Sequence, residues 1–172
     1  AVNEALSKDV KGMVLDLRNN PGGFLGVAIS MAGWFLPRGS LVVSEAYPNG
    51  LKDDFKARGN SVLAKLPVVI LENGGTASAS EILAGALRFH RKINIVGEKS
   101  FGKGTIQEIK QLKDGSSLKI TIANWLLPGG EVLEGSGLKP DYEVKLSEED
   151  AKNKRDPQLD KALEILRSQI PS

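Results

Sequence analysis

The pattern of hydrophobic and polar positions divides the chain into two parts. Over the first hundred residues, short apolar runs of strand length alternate with helical patterns. The runs that predict buried strands are residues 13–17, 41–43, 67–71 and 93–96. From residue 105 onward, apolar and polar positions alternate every second residue. This order predicts an α/β fold with parallel strands and crossover helices, followed by an antiparallel portion.

Three longer segments have helical patterns. Residues 24–36 are apolar nearly all round and precede Pro37 and Gly39, which predicts a buried helix that ends there. Residues 79–90 carry an apolar stripe at helical spacing. Near the C-terminus, Asp156 and Pro157 fit the N-cap and first position of a closing helix whose apolar face is Leu159, Leu163, Leu166 and Ile170. Residues 1–8 resemble the end of a further helix.

The segments between these elements are predicted from turn residues and polarity. Residues 48–61 are polar and contain glycine, which indicates an exposed loop. Leu118, Ile120 and Ile122 alternate with polar or small residues, which is typical of a half-buried strand. Lys113, Asp114 and Gly115 are hairpin residues that join this strand to residues 105–112.

Composition and charge narrow the functional classes. The chain has 172 residues, about the size of one domain. Its formal net charge is +2 and its Lys and Arg residues are scattered, so the sequence shows no basic patch of the kind that binds nucleic acid. It has no cysteine and a single histidine, so a disulfide framework, a cysteine nucleophile and a dedicated transition-metal site are all disfavoured. No apolar run reaches the 18 or so residues of a membrane span. Because the sequence opens without a Met, we expect a fragment of something longer.

A cluster of hydroxyls lies between a predicted strand and a predicted helix, in residues 74–82. A serine at a helix N-terminus is placed where backbone N–H groups stabilise an alkoxide and an oxyanion. Spacing alone favours another interpretation, in which Ser78 and Glu81 form a capping box. The single histidine, His90, is predicted about 18 Å along the same helix, so it cannot complete a triad with Ser78 and is expected at the surface or the helix end.

The segment from Gly97 to Gln107 nearly matches a phosphate-binding P-loop. The match fails because Gly104 stands where Ser or Thr would ligate magnesium, and because a strand pattern follows instead of a helix. If the strand begins near Lys103, then Lys103, Thr105 and Gln107 share one face. An amine acts as a base only when uncharged, a form that burial among apolar groups favours. Taken alone, Lys103 is more often an ordinary solvated lysine.

Taken together, three segments resemble the signature blocks of the carboxyl-terminal processing (tail-specific) proteases. They are Asp-Leu-Arg-Asn-Asn-Pro-Gly-Gly at 16–23, Gly-Thr-Ala-Ser-Ala-Ser-Glu-Ile at 75–82 and Phe-Gly-Lys-Gly at 101–104, in the order of that family. The interval of 25 residues between Ser78 and Lys103 also matches, and residues 135–141 resemble a further block. The resemblance covers about residues 11 to 145.

The resemblance implies a catalytic role for five residues. Ser78 would be the nucleophile, selected over Thr76 and Ser80, Lys103 its general base, and Gln107 the residue that orients the lysine. The backbone N–H groups of Ala79 and of Gly23, which is favoured over Gly22, would form the oxyanion hole. Glu81 is left as a structural cap.

The resemblance also implies a fold, partners and a location. Residues 1–172 would be a protease catalytic core with a ClpP/crotonase-like α/β fold and no metal or organic cofactor. The substrates would be proteins with apolar C-termini, and a homo-oligomer and a bacterial periplasmic or other extracytoplasmic location are further expectations. Family members usually carry an N-terminal helical region and a PDZ domain, and this sequence shows neither.

Two other functions stay open at this stage. A catalytically inert family member would keep the fold and bind peptides, with Ser78 as a cap and Lys103 solvated. A P-loop NTPase is the weaker alternative because of Gly104.

Overall fold

Two four-stranded sheets form the frame of the fold in the computed structural model, which describes residues 10–170. In chain order the elements are β1 (Met13–Asp16), α1 (Leu25–Phe35), β2 (Leu41–Ala46), β3 (Lys52–Lys56), β4 (Val68–Glu72), α2 (Ala79–Arg91), β5 (Asn94–Gly97), β6 (Thr105–Gln111), β7 (Ser117–Leu126), β8 (Tyr142–Glu143), α3 (Glu148–Lys152) and α4 (Pro157–Gln169). The helix end expected over residues 1–8 lies outside the described residues.

The first sheet is parallel and has the strand order β1-β4-β5-β8. Its central strand β4 is fully buried, because alternate side chains pack on opposite faces. Val68 and Ile70 join the cluster formed with α1 and α2, whereas Val69 and Leu71 pack against α4. The predicted parallel strands with crossover helices are therefore confirmed, and the carboxyl ends of β1 and β4 meet at one edge.

The second sheet is antiparallel and has the order β3-β2-β7-β6. The predicted hairpin of β6 and β7 is confirmed, with a register shift after Ile106 that leaves Ile122 as the extra residue on β7. Strand β2 pairs with β7, so it does not belong to the parallel sheet that its position in the sequence suggested. The mixed α/β class predicted from the sequence is confirmed.

Three predictions about local structure are wrong. Residues 52–56 form an edge strand rather than a loop. This strand is stabilised by backbone pairing with β2 and by an edge-to-face contact of Phe55 with Trp125, whose ring centroids are 6.1 Å apart. Helix α1 is buried on one face only, and Val27 is exposed. Leu118 and Ile120 are exposed rather than half-buried, because no other described element covers that end of the hairpin.

The block at residues 16–23 contributes to the fold as well as to the candidate site. The Arg18 guanidinium donates to Asp16 beside it and to Asp156 and Gln158 at the start of α4, and Asp156 also caps that helix through Leu159 N–H. Arg18 holds the pKa of the Asp156 carboxyl below its ordinary value. This contact ties the end of β1 to α4. No helix in the described part of the chain is long and apolar enough to cross a membrane.

Candidate active site

Ser78 lies in the tight connection between β4 and α2, with a backbone conformation that is rare for serine. Its φ is 56° and its ψ is −121°, in the left-handed half of the map. Such a conformation costs roughly 1–3 kcal/mol and persists only when its surroundings enforce it. Ser78 is half-buried, whereas Thr76 and Ser80 are buried. Of the three neighbouring hydroxyl residues, Ser78 is thus the most accessible.

The loop before Ser78 is fixed to the turn that follows β1. Asn73 Oδ1 accepts the N–H groups of Asn19 and Gly75, and Asn73 Nδ2 donates to Asn19 Oδ1. Buried Thr76 donates its hydroxyl to the carbonyl of Leu17. Both asparagine-containing turns come directly after strands of the parallel sheet. The topology therefore brings the block at 16–23 against the block at 75–82.

Glu81 links the Ser78 turn to the segment that carries Lys103. Its side chain is fully buried, and Oε2 accepts Ser78 N–H at 2.7 Å and Lys103 N–H at 3.0 Å, so the two nitrogens are at most 5.7 Å apart. Oε1 accepts the Ser100 hydroxyl at 2.5 Å and Gly102 N–H at 2.7 Å. Residues 78 and 81 are placed as a capping box, but the Ser78 hydroxyl makes no cap hydrogen bond. The capping box predicted from spacing is therefore present, and the hydrogen bond that closes it is the one that Glu81 accepts from Ser78 N–H.

Lys103 lies on a short connection whose two glycines pack against backbone. A Cβ at Gly102, where φ is +86°, would come within 2.8 Å of Gly137 N, and one at Gly104 would overlap Glu134 N. The following residues form β6 and not a helix, which contradicts the P-loop interpretation. These glycines therefore serve close packing against residues 133–137.

Lys103 and Gln107 have exposed side chains in the described structure. Lys103 is thus solvated, as expected for this lysine taken alone, and residues 10–170 do not provide the burial among apolar groups that would favour an uncharged amine. Strand β6 begins two residues after Lys103, so a common face for Lys103 and Gln107 stays a prediction. His90 lies near the far end of α2, exposed, with Nε2 2.7 Å from the carbonyl oxygen of Leu41, as predicted for a helix-end residue.

The helix start and the glycine turn lie next to Ser78. Ala79 is the first residue of α2, where no helical carbonyl accepts its N–H. A Cβ at Gly22, where φ is +93°, would lie 2.8 Å from Ala79 N and 2.6 Å from the carbonyl oxygen of Ala77, so the glycine turn packs directly on the Ser78 turn. Gly22 N–H donates to Asn20 Oδ1. The N–H of Gly22 is thus already engaged, and the oxyanion role expected for Gly23 stays a prediction.

We expect Gly22→Ala to reduce activity by about 100-fold or more, because the methyl group would push the Ala77–Ala79 backbone away from its position. Gly39→Ala is the matched control. Gly39 also has a left-handed φ, +91°, but a Cβ there has open space. Thermal unfolding measures the cost of strain in both variants, and cleavage assays measure the effect on the site. Equal activity in the two variants would contradict a role for the close approach of Gly22.

An apolar cavity of about 260 Å³ opens next to the glycine turn. Its walls include Leu17, Phe24, Val27, Met31 and Leu83, and Ala79 also borders it. The exposed side of α1 therefore faces this cavity. The lining residues carry no charged side chain, so the cavity fits an apolar side chain of a bound polypeptide.

The backbone of Ser78 and that of Lys103 thus meet at one edge of the parallel sheet, linked by Glu81, and Ser100 also bonds to Glu81. That the side chains of Ser78, Lys103 and Gln107 come together stays a prediction. Sequence reasoning treated Glu81 only as a cap and did not consider Ser100. The three-residue spacing of Glu81 from Ser78 was the only sequence signal for a role of Glu81. Its contacts with residues 100–103 come from chain topology. Among residues 10–170, no group of three His, Asp or Glu side chains is arranged to hold a metal ion.

Comparisons with known proteins agree with the motifs. A family profile described as peptidase family S41 matches residues 1–144. The carboxy-terminal processing protease CtpA of Bacillus subtilis (strain 168) is 42% identical over 146 residues, which are 85% of this chain and 31% of that protein. The chloroplastic C-terminal processing peptidase of Tetradesmus obliquus is 42% identical over 144 residues, 84% of this chain and 31% of that protein.

The solved structures include the photosystem II D1 C-terminal processing protease. It superposes with a TM-score of 0.79 and 41% sequence identity, over 84% of this chain and 37% of that chain. The chain therefore spans about a third of the length of the curated relatives it matches.

Proposed function

The chain belongs to peptidase family S41, and from this premise we propose that the protein is a serine endopeptidase that cleaves other proteins near their C-termini. Ser78 is the nucleophile, Lys103 the general base and Gln107 the residue that orients the lysine. The observation that carries the proposal is the pair of hydrogen bonds from Ser78 N–H and Lys103 N–H to a single oxygen of Glu81. Two segments 25 positions apart are thereby held side by side.

The reaction follows from these roles. Ser78 Oγ forms a bond to the peptide carbonyl carbon while its proton moves to the uncharged Nζ of Lys103. The oxyanion accepts hydrogen bonds from Gly23 N–H and Ala79 N–H. The C–N bond then breaks as the proton passes to the leaving amine. Water, activated by the same lysine, hydrolyses the acyl group and regenerates Ser78.

The exposure of Lys103 bears on how its amine becomes uncharged. Water solvates an exposed ammonium well, so the neutral form needs a drier environment than residues 10–170 provide. A bound polypeptide that lies over Ser78 and Lys103 covers the amine and supplies part of that environment.

The apolar cavity beside the glycine turn supports a preference for apolar residues at the cleaved bond. The two curated relatives are named for carboxy-terminal or C-terminal processing. We therefore propose proteins with apolar C-terminal segments as substrates. A PDZ domain elsewhere in the full-length polypeptide, a homo-oligomer and an extracytoplasmic location stay predictions, supported only by the relatedness to bacterial and chloroplastic proteins.

A substrate series tests this function. A model protein with an apolar C-terminal tail is expected to be cleaved about 100-fold faster than a matched protein whose tail carries Asp or Lys, because a charge placed in this cavity is desolvated without a partner. Mass spectrometry of acid-quenched reactions should detect the acyl group on a peptide that contains Ser78. Binding of the apolar tail without any cleavage would instead support the inert, peptide-binding alternative.

A further inference from the structure

The Glu81 carboxylate has more partners than a helix cap requires. In a capping box, the glutamate satisfies only the N–H of the cap residue. Here that contact with Ser78 is one of four, and the other three donors come from Ser100, Gly102 and Lys103. An ionised carboxylate offers about four acceptor positions. The described donors therefore match its full capacity.

The four donors divide evenly between the oxygens. Oε2 bridges the nucleophile and lysine segments directly, because it accepts both Ser78 N–H and Lys103 N–H. Oε1 accepts the Ser100 hydroxyl and Gly102 N–H, and Ser100 Oγ itself accepts Leu138 N–H. Rotation of the carboxylate would break bonds on both sides at once. The group therefore acts as a rigid spacer between the two segments.

We propose that Glu81 is a positioning residue, which sets the separation of Ser78 and Lys103 and holds Ser78 in its left-handed conformation. The inference rests on the proposed function, but it concerns a residue that does not itself touch the substrate. Its full burial excludes contact with a bound polypeptide. Charge-assisted hydrogen bonds to a buried carboxylate are strong enough to offset the backbone strain at Ser78.

Glu81→Gln tests the proposal, because the amide NH2 must face N–H or O–H donors whichever way it is oriented. We expect kcat to fall about 10- to 100-fold while KM changes less than about threefold, since a misplaced base weakens the chemical step and leaves the binding cavity intact. Ser100→Ala removes one donor and keeps the charge, so its loss should be intermediate. It also keeps the proposal testable if Glu81→Gln does not fold.

Glu134→Gln is the matched control. Glu134 also accepts an amide N–H of the lysine segment, from Gly104 at 2.8 Å, but it is exposed and has no described bond to the Ser78 turn. It should retain wild-type kcat within about threefold. Equal losses in Glu81→Gln and Glu134→Gln would overturn the special role of Glu81.

Amide hydrogen exchange provides a readout that does not depend on proteolysis. In Glu81→Gln, exchange should accelerate at Ser78, Gly102 and Lys103 and stay unchanged at Leu87 in the middle of α2. If the protein cleaves nothing but shows this local pattern, the proposed function fails and the positioning role stands. Wild-type kcat in Glu81→Gln, or faster exchange along the whole of α2, would overturn the positioning role itself.

Discussion

Ser78→Ala and Lys103→Met are each expected to lower the rate of cleavage by about 10⁴-fold or more, while folding is preserved. Nucleophile and base act as one unit, so the loss of either removes nearly the whole contribution of the pair. Methionine keeps most of the length of the lysine side chain but has no amine. Neither side chain belongs to the hydrophobic core, so thermal unfolding should stay close to that of the wild type.

Two neighbouring residues serve as matched controls for this pair. Ser80 is another hydroxyl residue of the same segment but is buried, and Lys99 is an exposed lysine four positions before Lys103. Ser80→Ala and Lys99→Met should cleave the apolar-tailed protein at near wild-type rates. Gln107→Ala should lose less than Lys103→Met, because it removes only the group that orients the base. Wild-type turnover in Lys103→Met would exclude this lysine from the mechanism.

The regular elements could be predicted from the sequence wherever one local pattern dominated. Helix α2 and the β6–β7 hairpin followed from an apolar stripe and from two-residue alternation joined by turn residues. Strand β3 was missed, because the polar sequence Lys-Asp-Asp-Phe-Lys at its position resembles a loop. Its pairing with β2 depends on backbone hydrogen bonds, which leave little trace in side-chain polarity.

The candidate site could be predicted only as separate segments. Motif resemblance singled out Ser78 and Lys103, but no periodicity indicates that Ser100 and Gly102 donate to a glutamate about 20 positions earlier. Those contacts exist because β5 runs parallel to β4 and returns the chain to the same sheet edge. Whether apolar groups cover Lys103 could not be predicted for a related reason: burial depends on which segments cover a residue, and local sequence does not specify them.

A second buried carboxyl group, Glu72, distinguishes this edge of the sheet. It ends β4, is fully buried, and neither of its oxygens has a hydrogen-bond partner in the described structure. Burial raises the pKa of Glu72 to about 8; Arg88 partly opposes this, and the carboxylates of Glu81 and Asp141 add to it. At neutral pH, Glu72 is therefore mainly a neutral acid, six residues before Ser78.

The raised pKa of Glu72 makes the stability of the protein depend on pH. Below about pH 4.5, its ordinary pKa, the group is protonated in both the folded and unfolded states, so its ionisation does not affect stability. Between about pH 4.5 and 8 the unfolded chain releases the proton and the folded chain keeps it, so the free energy of unfolding falls by about 1.4 kcal/mol per pH unit. Above pH 8 this cost levels off at about 5 kcal/mol.

Glu72→Gln should remove this dependence, because the amide has a similar shape and does not ionise. The unpaired amide carries its own cost of about 1–3 kcal/mol, but that cost is the same at every pH. Urea unfolding near pH 5 and near pH 9 should therefore show the variant gaining several kcal/mol relative to the wild type as the pH rises. Glu143→Gln, at an exposed glutamate on β8, should show no such gain.

Parallel stability curves for wild type and Glu72→Gln would mean that Glu72 is already ionised or hydrated in the folded protein.

The expected result has a consequence for catalysis. Rising pH favours the uncharged amine that the mechanism requires, yet it also drives ionisation of Glu72 near the Glu81 carboxylate. In the wild type the two effects oppose each other at alkaline pH. Glu72→Gln should therefore extend the range of activity to higher pH. A pH–rate profile measured alongside the unfolding curves separates the contribution of the fold from that of the base.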